Sequence, residues 1–379
     1  MATGPFRDER RLWLPGVIST VRSMHLAKTL AAQDNPSGGG PRHRPTYRRP
    51  VAALAVGATM LGVGPATAPG AGAATQPIHL AFFGYAAANA YTQAALKGVN
   101  EVASKYHATV HFYDPDMDAT TQLAQVEDAA TSGKYNGMVV YSVAGDTVVP
   151  GVKEALSNHI KVVADFVPLG PDQDTDAIQV PGLSGSVVVP IDVTGTAAGD
   201  LIVKACAGLD PCRVVYMPGD NTLPLEIDRT DHMLAVIKKD KDIDLVGMIQ
   251  SGYASGTGYT AGEDALTAHP NVNVIASSND QAIVGVELAV KQHGDLGKIK
   301  LIGGGGTYQA IAGIKSGDWF GTVNYCPTTE AAQATQILID AMLGHPAKVN
   351  EVNSLTICGA PIELTKSDLG NYTGEWTAG

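Results

Sequence analysis

Between Ile78 and Tyr141 the chain runs IHLAFF (78–83), AYTQAALKGVNEVASK (90–105), TVHFY (109–113), TTQLAQVEDAATS (120–132) and GMVVY (137–141). The first, third and fifth stretches are short and rich in β-branched and aromatic residues, as strands are; the second and fourth carry apolar residues at helical spacing. Strands linked through helices pair in parallel by right-handed crossovers, with both faces of the sheet covered. The alternation continues with a helix at 148–158 and a strand at 161–165. A second set follows, with helices at 195–205, 225–239, 260–268 and 281–292 and strands at 213–217, 245–249, 274–276 and 300–302. The spacing predicts an α/β protein of two similar doubly wound parallel-sheet lobes with a ligand cleft between them.

The 379 residues are 45% hydrophobic and 17% charged, enough to bury sizeable cores in two domains. Residues 1–74 hold nine basic and three acidic residues, leaving 17 basic against 34 acidic in the remainder, a formal charge of −17. Such a body repels phosphate backbones and anionic lipid, which excludes duplex nucleic acid and membrane surfaces as partners and favours a small ligand.

Arg42, Arg44, Arg48 and Arg49 precede an apolar run from Val51 to Val63 and a small-residue stretch from Pro65 to Ala74. That is the order of a secretory signal, and the run is shorter than the roughly 20 residues needed to span a bilayer. Residues 1–74 are therefore read as an export signal region removed near Ala74, by the general route or, through Arg48-Arg49, the twin-arginine route. The cleavage region has no cysteine to carry a lipid, so the mature chain is expected free in the periplasm, cell-wall space or medium.

All four cysteines, Cys206, Cys212, Cys326 and Cys358, lie in the exported part, where an oxidising compartment favours two disulfides. Of the three pairings, Cys206 with Cys212 is favoured by a separation of six residues, leaving Cys326 for Cys358; four buried free thiols are the alternative. No C-x-x-C or Cys/His spacing points to zinc, and neither metal nor cofactor is expected.

Sites in doubly wound sheets form beyond the carboxyl ends of the strands. The segments there, 84–91, 114–118, 142–146, 165–167, 218–222, 250–253, 277–280, 303–308 and 324–325, are rich in Asn, Asp and Tyr. Such residues grip polyhydroxylated ligands, or simply build turns. The sequence has no G-x-S-x-G, H-E-x-x-H or P-loop, and Gly303–Gly306 fails the dinucleotide fingerprint because Tyr308 falls on its third glycine. The enzyme readings are Asp114, Asp116 and Asp118 as a metal cluster and Asp146 with Asp165 as a glycosidase pair. Both are weaker than a binding role.

Several stretches resemble the type I periplasmic binding proteins of sugar ABC transporters, the ribose-binding group, over most of residues 77–368. Ala268-His269-Pro270-Asn271-Val272, leading to Ser278-Asn279-Asp280 and Gly285, is similar to that family's AHPD…NDxxAxG pattern. Gln122 to Asp128 with Gly133, Asn89 with Lys97-Gly98, Asp146 before Pro150, Asp165, Arg229 and Gly306-Thr307 resemble its further motifs. The resemblance implies a ligand-binding set of Asn89, Tyr91, Asp146, Asp165, Arg229 and Asn279, with Tyr253 as an aromatic of the second lobe. At Phe166, Gly305 and Tyr325 the chain departs from the family, exchanging polar groups for rings and a glycine, which points to a less polar, larger or differently shaped ligand.

Arg229 is one of only two arginines after residue 74, and its fork can donate two hydrogen bonds to vicinal hydroxyls. The alternative is a surface ion pair with Asp228 or Asp231. On the binding reading, Arg229→Ala weakens affinity by about 1.5–3 kcal/mol and leaves the fold intact.

By the same resemblance, a three-strand hinge near 166–168, 325–327 and 353–356 joins a first lobe of residues 75–167 plus 326–353 to a second of 168–325 plus 354–379. The implied function is that of a monomeric extracytoplasmic substrate-binding protein that closes on a small sugar, polyol or sugar-like ligand and delivers it to an ABC transporter permease. A receptor feeding a membrane sensor kinase or chemotaxis receptor, or one for a non-sugar molecule, is the alternative. An enzyme is not expected.

Overall fold

The computed structural model describes residues 76–379, so the expected export signal and the cleavage expected near Ala74 lie outside the described residues. Strand β1 (His79–Phe83), helix α1 (Ala90–Lys105), β2 (Thr109–Tyr113), α2 (Ala119–Thr131), β3 (Gly137–Tyr141), α3 (Val149–Ser157) and β4 (Lys161–Phe166) alternate as the spacing predicts. After an irregular stretch comes β5 (Gly185–Val188). The second set runs α4 (Ile191–Cys206), β6 (Cys212–Met217), α5 (Pro224–Ile237), β7 (Ile243–Met248), α6 (Ser255–Ala268), β8 (Val274–Ser277), α7 (Asp280–Gln292), β9 (Lys300–Gly305), α8 (Tyr308–Ser316) and β10 (Gly321–Asn324). Helix α9 (Pro327–Met342) and the short strands β11 (Glu351–Asn353) and β12 (Glu363–Thr365) follow.

These strands form two six-stranded sheets, ordered β11-β5-β4-β3-β1-β2 and β12-β10-β9-β8-β6-β7. Pairing is parallel except between β10 and β12, where Gly321 stands opposite Thr365 in antiparallel register. Strand β1 shows why both faces are covered. Leu80 and Phe82 pack with Val99 of α1 and Ile337 of α9, while Ala81 and Phe83 pack with Val126 of α2 and Val152 of α3. Alternate side chains of one strand thus enter two cores, which needs a near-continuous apolar run.

The helices begin on the turn residues that close the strands. Asn89 caps α1 by accepting from Thr92 N (3.0 Å), Asp118 caps α2 from Thr121 N (2.5 Å) and Asn279 caps α7 from Ala282 N (2.9 Å). Thr307 does the same for α8 through Ala310 N (3.1 Å).

The first crossing differs from the expected one. The chain does not leave the first sheet at 166–168, because β5 pairs beside β4, with Phe166 opposite Val188. It crosses at 189–190 instead, and residues 168–188 belong with the first sheet. It returns between Asn324 of β10 and α9, and leaves again between β11 and β12. Cys326 and Cys358, one in each of these last two crossings, are joined by a disulfide with Cα atoms 5.2 Å apart. Cys206 and Cys212 form the second bond, Cα–Cα 5.5 Å, across the turn from α4 to β6. Among the described residues no helix is long and apolar enough to cross a membrane.

Candidate ligand-binding site

The carboxyl ends of both sheets meet around a small cavity of about 50 Å³. From the first sheet it is lined by Tyr85 in the β1–α1 turn, Asn89 and Tyr91 at the start of α1, Tyr141 ending β3 and Phe166 ending β4. The second sheet contributes Glu226 and Arg229 of α5, Tyr253 after β7, Ser278 and Asn279 before α7, Gln281 and Gly304. Tyr325, at the second crossing, and Trp376 close it.

The lining is mostly rings in edge contact. Phe166 lies 4.7 Å from Tyr91 and 5.0 Å from Tyr141, centroid to centroid, and Trp376 lies 5.2 Å from Tyr91. Tyr85 of the first sheet meets Tyr253 of the second edge-on at 5.7 Å. Phe166 has φ +60°, a left-handed conformation that is uncommon for a bulky residue, at the end of β4. Burial raises the pKa of the phenols of Tyr85, Tyr91, Tyr141, Tyr253 and Tyr325, so all five stay neutral near pH 7.

One charge pair stands among the rings. Arg229 Nη1 donates to Glu226 Oε1, one helical turn away, and Glu226 Oε2 accepts from Gly219 N (3.0 Å). Both side chains are buried, 5% and 0% exposed. Burial works against the Arg229 charge, but Tyr325 and Glu226 more than offset it and its pKa is raised. The pair makes the lining formally neutral, which matches an uncharged ligand. Four buried polar atoms of the lining have no partner: Arg229 Nε, Gln281 Oε1 and the hydroxyls of Tyr85 and Tyr253. A donor, an acceptor and two groups able to do either form a set that hydroxyl groups satisfy.

Of the ten residues that the sequence nominates, Asn89, Tyr91, Phe166, Arg229, Tyr253, Asn279 and Tyr325 line the cavity, whereas Asp146, Asp165 and Gly305 do not. Asp146 is exposed in the turn after β3, and its carboxylate reaches only Thr147 Oγ1 (3.4 Å). Asp165 is fully buried with neither oxygen partnered, and sits close enough to Glu330 of α9 to raise its pKa. Tyr91 Oη donates to Glu330 Oε1 (3.1 Å), so this acid pair lies behind the ring wall. Gly305 is spaced away from the cavity by Trp376, whose indole Nε1 donates to Gly305 O (2.8 Å).

The turn reading of the strand-end residues also holds. The Asn89 and Asn279 oxygens serve as helix caps, and Asn279 Nδ2 donates to Gly252 O (3.0 Å), leaving that amide little to offer a ligand. Asp114 accepts from Ala87 N (3.1 Å) and Asp116 N (2.9 Å), and Asp118 caps α2, so the three aspartates build a turn. Among the described residues no three His, Cys, Asp or Glu side chains cluster as a metal site requires. Arg229 pairs with Glu226 and with neither Asp228 nor Asp231.

Tyr85 and Gly304 fall in the strand-end segments without being named there, and Ser278 is named only within the family motif. Glu226, three residues before Arg229 and so one helical turn from it, was not singled out in the sequence, where Asp228 and Asp231 stood as the alternative partners. Trp376, beyond the last strand, carries no local signal at all.

Residues 80–346 match the model of the periplasmic binding protein domain family. Over 257 residues the chain is 21% identical to the xylitol-binding protein of Mycolicibacterium smegmatis, covering 68% of this chain and 70% of that protein. Over 248 residues it is 23% identical to the D-allose-binding periplasmic protein of Escherichia coli, covering 65% and 78%. A solved ABC transporter solute-binding protein of Mycobacterium smegmatis with bound glycerol superposes with a TM-score of 0.66 at 21% identity, covering 79% of this chain and 98% of that one. These relatives are named as binding proteins and not as enzymes.

Proposed function

The chain belongs to the periplasmic binding protein domain family, and from that premise we propose that it is the extracytoplasmic substrate-binding protein of an ABC transporter, taking a small sugar or polyol. The observation that carries this reading is the cavity between the two sheets, neutral overall, walled by rings and edged by four buried polar atoms without partners. Rings stack on the C–H faces of polyols while paired donors and acceptors take their hydroxyls. Xylitol and D-allose, named for the two relatives, are of this class.

Family membership implies an exported location; removal of residues 1–74 near Ala74 is part of the proposal, as are a monomeric state and a permease partner. The proposed lobes are 75–189 plus 326–353 and 190–325 plus 354–379. Because the lining comes from both, a ligand that bridges them favours the closed arrangement by differential contact, which is the signal a permease would read.

Thermal melting tests the proposal, using chain that has been unfolded and refolded to remove carried-over ligand, against pentoses, hexoses, polyols, amino acids and nucleosides. A sugar or polyol should stabilise selectively, by about 2.7 kcal/mol at a hundredfold excess over its dissociation constant. A hit only among amino acids or nucleosides would overturn the carbohydrate assignment.

A further inference from the structure

The polar atoms of the cavity are not evenly spread. One patch of its wall, formed by Phe166, Tyr91 and Trp376 in ring contact and bordered by Tyr141 and Tyr325, has no free donor of its own. Phe166 has no polar side-chain atom. The Tyr91 hydroxyl is turned onto Glu330 Oε1 behind the ring wall, its one hydrogen donated there, and the Trp376 indole N–H is donated to Gly305 O. Gly305 O accepts a second bond from Tyr325 N (3.2 Å), which fills both its lone pairs. The unpartnered groups, Arg229 Nε, Gln281 Oε1 and the Tyr85 and Tyr253 hydroxyls, belong to other residues of the lining.

Trp376 is held there firmly. Its neighbour Glu375 accepts from Thr328 N (2.8 Å) and Thr329 N (3.0 Å) at the start of α9, and Trp376 O accepts from Tyr308 N (2.9 Å) at the start of α8. The segment is thus fastened to a helix of each sheet. Gly305 makes room for both the Asp280 carboxylate and the indole, since a Cβ there would stand 2.6 Å from Asp280 Oδ2 and 2.9 Å from Trp376 Cζ2.

We propose that the ligand presents an apolar edge to Phe166, Tyr91 and Trp376, so that the protein selects a deoxy sugar over its hydroxylated parent, with Trp376 as the specificity-determining residue. This rests on the reading that the cavity takes a small sugar or polyol. A hydroxyl turned toward the patch gives up its water and finds no partner, whereas a methyl group or hydrogen there loses nothing. The remaining hydroxyls meet the unpartnered donor, acceptor and phenols.

The test is titration calorimetry on the full-length chain with matched pairs: D-fucose and D-galactose, L-rhamnose and L-mannose, 6-deoxy-D-glucose and D-glucose, 2-deoxy-D-ribose and D-ribose. In the pair that binds, the deoxy member should bind roughly ten- to a hundredfold more tightly. Trp376→Ala should remove most of that ratio. Phe166→Asn is the second variant, because Asn tolerates the left-handed conformation and adds a donor and an acceptor to the patch; it should shift preference toward the hydroxylated parent even if Trp376→Ala folds poorly. A parent sugar that binds the unaltered chain as tightly as its deoxy partner, or a ratio that neither variant moves, overturns the inference and leaves the carbohydrate reading standing. Binding of no member of any pair, with polyols also silent, overturns that reading and this one together.

Discussion

Arg229→Ala tests the electrostatic logic of the cavity. Glu226 is 0% exposed, and its two oxygens are held by Arg229 Nη1 and Gly219 N. Truncating the arginine strands a buried carboxylate, at a cost of about 3–5 kcal/mol. The sequence alone reads this substitution as harmless to the fold, and the burial of its partner reverses that expectation. At roughly 2–4 °C per kcal/mol for domains of 150–250 residues, the melting point at pH 7 should fall by about 6–20 °C, toward the lower figure for a longer chain. Glu226→Gln/Arg229→Met, which removes both charges, should recover most of the stability without restoring ligand affinity. The assay is thermal unfolding followed by circular dichroism at about pH 7. A single variant melting within about 2 °C of the parent at pH 7 would refute the reasoning.

Burial raises the pKa of Asp165 and Glu330, with the Asp165 carboxylate adding to the effect on Glu330, and pushes Asp280 up to about 6. Acids with raised folded values stabilise below their unfolded range and lose that contribution as the pH climbs from about 4 upward. The urea midpoint should therefore fall between about pH 5 and pH 8, and Asp165→Asn should flatten the slope; an unaltered slope counts against the acid pair. The Cys326–Cys358 bond closes a 32-residue separation and Cys206–Cys212 one of six. Loop-closure entropy gives about 4 against about 2 kcal/mol, so replacing the first pair with serine should lower the melting point more than replacing the second. Equal losses would contradict the loop argument. Gly304→Ala would place a Cβ 2.4 Å from Ser278 O, and denaturant unfolding should show a loss of about 1–3 kcal/mol; a neutral result would mean the β8 and β9 ends are not so tightly packed.

Apart from β5, the alternation from β1 to β9 was legible because the strands are short runs rich in apolar and β-branched residues and the helices keep their period. Strands β5, β11 and β12, of three or four residues, were not, since so short a run carries no periodicity and is defined by its neighbours alone. Missing β5 is what moved the first crossing to the wrong place. The rings at strand ends were legible as a class. Which side chain of a strand-end pair enters the cavity was not: Phe166 and Asp165 are adjacent, and the left-handed φ of Phe166 goes with its ring lining the cavity while the carboxylate stays near Glu330. Trp376 was invisible because it reaches the site through contacts with Gly305 and Tyr91, 71 residues or more away in sequence.

The central claim, that the cavity between the sheets captures a small sugar or polyol, is tested most directly by a crystal structure of the chain grown with the strongest stabiliser from the melting series. The account predicts that ligand among Phe166, Tyr91 and Trp376, with Arg229 Nε and Gln281 Oε1 within hydrogen-bond distance of its hydroxyls. Ligand seated instead at the outer opening lined by Met117, Asp220 and Gln250, with the inner cavity left to solvent, would contradict it.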